Sequence, residues 1–256
     1  MSMDLAQREV LRLVHRDQMY RVIGYPDAKR VIFRRHATRA EGGIDDLTLE
    51  GEIEAFRAGM QSNFPIHLLV STSRVRTIKS RDRFAFGYSY TRFDKPCIRV
   101  IEQLGNKADE WALVTPKVVE YQKDMSQIDA FLKAHGEERC RYLANRFLQP
   151  LREKVFNALE PGQLAMVFSH EPLIVLSVWA LLDHLDFSSY MWRNGTLSPT
   201  LFPLEGYELI QYPDEGERPI DVVSPKVEAP FIQDEHHTEF IRVLLERKSQ
   251  KNWEDG

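Results

Sequence analysis

The chain has 256 residues, of which 43% are hydrophobic and 28% charged, so it carries enough apolar surface for a globular core. Its 34 basic and 38 acidic side chains give a formal net charge of −4. This balance argues against general nucleic-acid binding, which goes with a basic excess. Two cysteines, Cys97 and Cys140, make neither a disulfide framework nor a zinc knuckle.

The first ten residues are polar, so we expect no signal peptide. The most apolar run, Leu173 to Leu182, is far shorter than the ~20 residues that span a bilayer. We therefore expect a cytoplasmic protein without a membrane partner.

Hydrophobic periodicity predicts helices alternating with strands in the first hundred residues. The predicted elements are a helix over 4–22, a strand at Val31–Phe33, a helix over 48–61 with Thr48 as N-cap, a strand at Ile66–Val70, a basic helix over 73–83 and a strand at Cys97–Ile101.

The second half continues this alternation. The predicted elements are a helix over Glu137–Leu159 ended by Pro161-Gly162, a strand at Leu164–Phe168, an apolar helix from Leu173, a strand at Tyr207–Tyr212 and an exposed helix over 233–248. The pattern predicts a single α/β domain, a three-layer sandwich around a mostly parallel sheet. In such sheets ligands bind at the carboxyl ends of the strands.

Polar clusters follow three of the predicted strands at those ends. Arg35-His36 follows the first strand, Arg74 and Arg76 follow the second, and Ser169-His170 follows Leu164–Phe168. Arginine forks match phosphate oxygens, and a neutral imidazole beside them can attack phosphorus. Taken alone, each histidine is also typical of a structural histidine at a strand end, and the arginines are also typical of a solvated basic helix face. The combination of these residues at one sheet edge predicts a phosphoryl-transfer site.

Over residues 30–210 or so, the chain resembles the histidine phosphatase superfamily, with its phosphoglycerate-mutase-like fold. Arg35-His36-Ala37 resembles the RHG signature, and Thr72–Ser80 resembles the S-P-x-x-R-A-x-x-T stretch. Asp46–Gly51, with Ala55 further on, resembles the LT-x-x-G-x-x-x-A segment. Ser169-His170 resembles the motif of the family's second histidine, and Glu102–Asn106 resembles the segment that carries the acidic proton donor.

The resemblance implies a role for each matching position. His36 is the phosphoryl acceptor, His170 is the second histidine, and Glu102 is the proton donor, for which a raised pKa would be suitable. Arg35 and Arg76 bind phosphate, with Arg74 as the alternative to Arg76.

Three departures from the family pattern accompany these matches. Ala37 stands where glycine is usual, and Arg39 and Glu41 replace the usual threonine or serine and asparagine. Arg39 is therefore a further candidate for binding phosphate. Glu171-Pro172 follows the second histidine, which makes Glu171 the alternative acid, as in another branch of the superfamily.

The expected function is a metal-independent phosphomonoesterase, without cofactor, acting on a small phosphorylated metabolite through a phosphohistidine. The alternatives are a phosphomutase of the same family and a catalytically silent domain that binds phosphorylated ligands. The sequence does not identify the substrate, which segments 84–96 and 106–136 are expected to select, or the oligomeric state. A charged group near the C-terminus has metal-ligand composition, but we interpret it as a helix face: Asp234, Glu235, His236, His237 and Glu239.

Overall fold

A computed structural model describes residues 27–42, 44–62, 64–92, 95–105, 115–125, 127–182, 203–204, 206–211 and 221–223. The predicted helices over 4–22 and 233–248, with the acidic and histidine-rich group of the second, lie outside these residues. In the described part of the chain, no helix is long and apolar enough to cross a membrane.

Strands and helices alternate along the described residues. The strands are Lys29–Arg35 (β1), Leu68–Ser71 (β2), Cys97–Val100 (β3), Leu164–Ser169 (β4), Glu208–Gln211 (β5) and Asp221–Val223 (β6). The helices are Leu49–Met60 (α1), Val75–Thr91 (α2), Pro116–Tyr121 (α3), Gln127–His135 (α4), Glu137–Lys154 (α5) and Glu171–Leu182 (α6), with 3-10 turns at Glu102–Leu104 and Phe156–Ala158.

The strands form one mixed sheet in the order β3-β2-β4-β1-β5-β6. The first four in this order are mutually parallel, whereas β5 and β6 add antiparallel at one side. The mostly parallel sheet expected from the sequence is confirmed. Its parallel strands end at one edge, where His36, Thr72, Glu102 and His170 follow β1, β2, β3 and β4 closely.

Helices cover both faces of the sheet. Because successive strand residues point to opposite faces, Val31 and Phe33 of β1 join a core cluster with α4, α5 and α6. Ile32, between them, joins a second cluster with α1 and α2. The molecule is therefore an α/β/α sandwich in which two separate apolar cores hold the sheet in place.

Two helices differ in extent from their sequence predictions. The basic helix predicted over 73–83 continues to Thr91, because Phe84, Ala85 and Tyr88 add a buried stripe against the second cluster. Residues 84–91, which were expected to help select the substrate, belong to this helix. The helix predicted to reach Leu159 ends at Lys154, and the chain tightens into the 3-10 turn at Phe156–Ala158.

Candidate active site

The two predicted histidines lie side by side at the carboxyl edge of the sheet. Strands β1 and β4 are neighbours, with Arg35 in register with Ser169, so the residues that follow them are adjacent. The rings of His36 and His170 have centroids 5.6 Å apart and meet edge to face. Both side chains are buried, with 5% and 7% of their surface exposed. The pairing expected from the sequence is present in the structure.

His36 is fixed by backbone and side-chain contacts. Its amide donates to Ser169 O at 3.0 Å. Its ring Nδ1 lies 2.7 Å from Ala37 O. A carbonyl can only accept, so Nδ1 carries the proton and Nε2 carries the lone pair. Ser80 of α2 accepts from the Ala37 amide at 2.9 Å, which ties this turn to the helix.

Alanine replaces the usual glycine at position 37 without backbone strain. Among the described residues other than glycine, only Leu204 has a positive φ. Ala37 therefore lies in a region that any side chain tolerates. It is fully buried, so its methyl group fills space that a glycine would leave.

His170 is held from two sides. Arg76 donates from Nη2 to its Nδ1 at 3.3 Å, and Thr72 Oγ1 lies 3.3 Å from its Nε2. Arg76 is itself buried, with 8% of its surface exposed. Of the two arginines proposed for the second phosphate contact, Arg76 hydrogen-bonds directly to His170.

Both imidazoles are held neutral at pH 7. The pKa of His36 is lowered from 6.5 to about 3, chiefly by burial and against the hydrogen bond to Ala37 O, which acts to raise it. The pKa of His170 is lowered well below 6.5, again first by burial. Nearby cations add to both shifts; they are Arg76, Arg35 and Arg39 for His36, and Arg76, Arg74 and Arg35 for His170. A neutral His36 ring is the form that can act as a nucleophile.

Carboxylates accompany both central arginines. Arg35 Nη1 lies 3.1 Å from Glu171 Oε2, and Arg76 Nη1 lies 3.1 Å from Asp45 Oδ1. Asp45 also accepts from the Val75 amide at 3.2 Å. The site therefore contains two internal anions on the groups that are predicted to bind phosphate.

The other predicted residues surround this centre. Arg74 is the N-cap of α2 and lies 4.0 Å from Asp45. Arg39 is exposed and forms an isolated bridge with Leu47. Glu102 is exposed in the 3-10 turn after edge strand β3. It shares the carboxyl edge, but β2 and β4 separate its strand from β1.

The sequence prediction missed Thr72, Ser80 and Asp45 as contacts of the site. Thr72 and Ser80 were included in the motif around Arg76, and their hydroxyls at its two ends were the available signal. Asp45 comes from the segment between β1 and α1, where no periodicity indicates which side chain folds back. Among the described residues, no group of three or more His, Cys, Asp or Glu side chains is placed to hold a metal ion.

Comparisons with known proteins agree with this architecture at the level of fold. No protein-family model and no curated protein matches the sequence. The structure is similar to phosphoglycerate mutase from Bacillus anthracis str. Sterne, with TM-score 0.53, 15% identity, and coverage of 78% of this chain and 94% of that one. This likeness shows the phosphoglycerate-mutase-like fold, as the sequence motifs predicted.

Two phosphatases resemble the chain more weakly. A mycobacterial glucosyl-3-phosphoglycerate phosphatase has TM-score 0.46 and 18% identity, covering 72% of this chain and 90% of that one. A phosphoserine phosphatase from Entamoeba histolytica, solved with 3-phosphoglyceric acid, has TM-score 0.46 and 18% identity, with coverage of 77% of this chain and 95% of that one. At these scores they add nothing to the fold assignment.

Proposed function

We propose that this chain, built on the phosphoglycerate-mutase-like fold, is a metal-independent phosphomonoesterase that forms a phosphohistidine on His36. The observation that carries the proposal is the buried His36–His170 pair, whose ring centroids are 5.6 Å apart. A small phosphorylated metabolite is the proposed substrate.

His36 has the protonation state that a nucleophile needs. The Ala37 carbonyl holds the proton on Nδ1, so the lone pair of Nε2 is available to attack phosphorus. The Nε2–P bond forms as the bond from phosphorus to the leaving oxygen breaks, and that oxygen takes a proton. Water then attacks the phosphohistidine and gives a proton back to the carboxylate that protonated the leaving oxygen. The Nε2–P bond breaks, phosphate is released and the lone pair returns to Nε2.

Charge stabilisation is proposed to come from Arg35 and Arg76, and His170 fixes the Arg76 guanidinium by accepting a hydrogen bond from it. Hydrogen-bond donors fixed in a water-poor site usually supply the largest catalytic term. An incoming phosphoryl group takes the place of Glu171 on Arg35 and of Asp45 on Arg76, because oxyanions compete for the same guanidinium hydrogens. Arg39, whose charge acts on His36, and Arg74, whose charge acts on His170, are proposed as further phosphate contacts.

For the leaving-group proton we propose Glu102, with Glu171 as the alternative. Glu102 follows a strand end at the same sheet edge, in the segment whose sequence resembles the acid-bearing segment of the family. Glu171 is nearer to the histidines but is held in an ion pair with Arg35. The dependence of kcat/KM on the leaving group distinguishes the two carboxylates.

The proposed function is tested by trapping the intermediate. The wild-type protein is mixed with an aryl phosphate, and we expect a burst of phenol release and a phosphoenzyme that survives alkaline but not acid quench. His36→Ala should abolish both, whereas His135→Ala, on α4 outside the site, should keep both. Excess chelator should leave turnover unchanged and vanadate should inhibit it.

Turnover by His36→Ala at the wild-type rate would overturn the role of His36. Loss of activity in chelator, restored by a divalent ion, would overturn the mechanism. A chain that binds phosphate without any burst would instead be a phospho-ligand-binding domain, an alternative supported by the departures from the family pattern at Ala37, Arg39 and Glu171. Phosphoryl transfer from the intermediate to an added alcohol in place of water would identify a mutase.

A further inference from the structure

A chain of buried polar groups runs from His170 into the start of α2. Thr72 Oγ1 lies 3.3 Å from His170 Nε2 and 2.7 Å from Thr77 Oγ1. Thr77 Oγ1 donates to a backbone carbonyl, with Arg74 O at 2.8 Å and Thr72 O at 3.2 Å. Thr72 and Thr77 are both fully buried. Neither residue was assigned a role in the proposed reaction.

The direction of each hydrogen bond in this series of buried polar groups follows from which atoms can donate and which can accept. Arg76 can only donate, so His170 Nδ1 must be the acceptor of the 3.3 Å contact. A neutral imidazole whose Nδ1 accepts carries its proton on Nε2, and that proton points to Thr72 Oγ1. The Thr72 hydroxyl then donates to Thr77, whose own proton goes to the backbone.

From this arrangement we propose that Thr72 and Thr77 are positioning residues that hold His170 in the Nε2–H tautomer. Thr72, which Thr77 holds in place, contacts the ring at Nε2, so Nδ1 faces the arginine that is proposed to bind phosphate. The kinetic part of this inference rests on the proposed function, whereas the tautomer does not.

The Thr72 hydroxyl is an important acceptor for His170 because the ring is buried. With 7% of His170 exposed, water has little access to replace a lost acceptor. Removing the hydroxyl leaves the Nε2–H without a partner, and the ring gains freedom to turn away from Arg76. Removing the hydrogen-bond partner that fixes the tautomer of a metal-bound histidine typically costs about 10- to 100-fold in affinity or activity, and we expect a loss of the same order here.

The experiment combines NMR with kinetics. Long-range ¹H–¹⁵N correlation of ¹⁵N-histidine-labelled protein identifies which ring nitrogen of His170 carries the proton, with His170→Gln used for assignment. We expect Nε2–H in the wild type and in Thr72→Ser. In Thr72→Val we expect the Nε2–H proton to move upfield and kcat to fall about 10- to 100-fold, with a smaller change in KM because the hydroxyl does not touch substrate.

Ser177→Ala is the matched control, since it removes another fully buried hydroxyl, which donates to Leu173 O at 2.6 Å. It should leave the His170 resonances and kcat unchanged. If Thr72→Val fails to fold, Thr77→Val takes its place, with the same changes expected in smaller size. An Nδ1–H tautomer in the wild type, or an unmoved Nε2–H resonance in the folded valine variant, would overturn the proposal. An inactive wild type with the Nε2–H tautomer would refute the proposed function alone.

Discussion

At the scale of single residues, Glu171 and Glu102 differ in what surrounds them. Glu171 begins α6 and pairs with Arg35 at 3.1 Å, with 12% of its side chain exposed. That ion pair requires an ionised carboxylate. Glu102 is exposed and lies in the 3-10 turn that follows β3. We prefer Glu102 because its segment resembles the acid-bearing segment of the family, and Glu171, once the phosphoryl group has displaced it from Arg35, is the alternative.

Substrates with different leaving groups can show whether Glu102 or Glu171 donates the proton. An alkoxide is a strong base and needs a proton as it departs, whereas nitrophenolate needs little help. General acid catalysis contributes about 10²–10⁴-fold, so we expect Glu102→Gln to lower kcat/KM for an alkyl phosphate far more than for nitrophenyl phosphate. For Glu171→Gln we expect a smaller loss, similar for both substrates. The measurement is kcat/KM for both substrates in both variants across pH.

The opposite pattern would reassign the acid. A selective loss in Glu171→Gln, with none in Glu102→Gln, would show that the carboxylate following the second histidine donates the proton. The chain would then be closer to the other branch of the superfamily.

The histidine pair was predictable from the sequence, and several of its contacts were not. His36 and His170 each follow a strongly apolar run, and parallel strands end at one edge of a sheet. The contacts of Asp45 depend on how the segment after β1 folds back on α2. No local pattern encodes that path, because the segment has neither helical nor strand periodicity.

At the scale of elements, α1 and α2 pack with their backbones in close contact. A Cβ placed on Gly59 would lie 2.0 Å from Phe84 O, and one on Gly87 would lie 1.9 Å from Phe56 O. Each helix thus presents a glycine to a carbonyl of the other. Since α2 carries Arg76 and begins beside Thr72, this close packing also sets the position of the site.

Gly87→Ala should destabilise the protein despite improving helix propensity. Alanine is favoured over glycine in a helix interior by about 1 kcal/mol, so propensity alone predicts a gain. The added methyl group would instead meet the Phe56 backbone, and overpacking of this kind costs about 1–3 kcal/mol. We expect a lower midpoint of thermal unfolding, measured by circular dichroism or calorimetry.

Ser89→Ala, on the same helix, provides the comparison, because it introduces no atom near α1. Its unfolding midpoint should stay close to that of the wild type. A Gly87→Ala variant that is more stable than the wild type by the full propensity gain of about 1 kcal/mol would show that the two helices can separate at no cost.

The close approach explains why helix prediction was incomplete here. The helix over 48–61 was predicted nearly to its observed bounds of Leu49–Met60, because Thr48 caps it by accepting from the Gly51 amide. For α2 only the basic first half was predicted. Its second half contains a glycine and aromatic residues, which are weak helix formers, and packing against the neighbouring layer stabilises it.

At the scale of the whole molecule, the strand order was the part that sequence could not supply. Strand β4 inserts between β2 and β1, although more than a hundred residues separate it from the start of the chain. Alternation of elements predicts a parallel sheet, but it does not state which strands pair. This insertion brings His170 next to both His36 and Thr72, so the site depends on the least predictable feature of the fold.

The burial that keeps both histidines neutral should also make the free energy of unfolding decrease in acid. The pKa of His36 is lowered to about 3, chiefly by burial, whereas an unfolded histidine titrates near 6.5. Between these values the unfolded chain binds more protons than the native one, so stability is complete above pH 6.5 and falls as the pH drops below it. At pH 5 the cost from one such histidine is about 2 kcal/mol.

His170 acts in the same direction because burial also lowers its pKa. Glu208 acts in the opposite direction, since burial raises the pKa of its carboxyl. We therefore compare variants rather than absolute stabilities. In phosphate-free buffers, the unfolding midpoint of the wild type should be lower at pH 5 than at pH 7. In His36→Gln this decrease should be smaller by about 4–8 °C, which corresponds to about 2 kcal/mol for a protein of this size. His135→Gln should retain the whole fall, because it leaves both buried histidines in place. An equal fall in His36→Gln and the wild type would show that the His36 ring is accessible to protons in the native protein, which would remove the basis for a neutral nucleophile at this position.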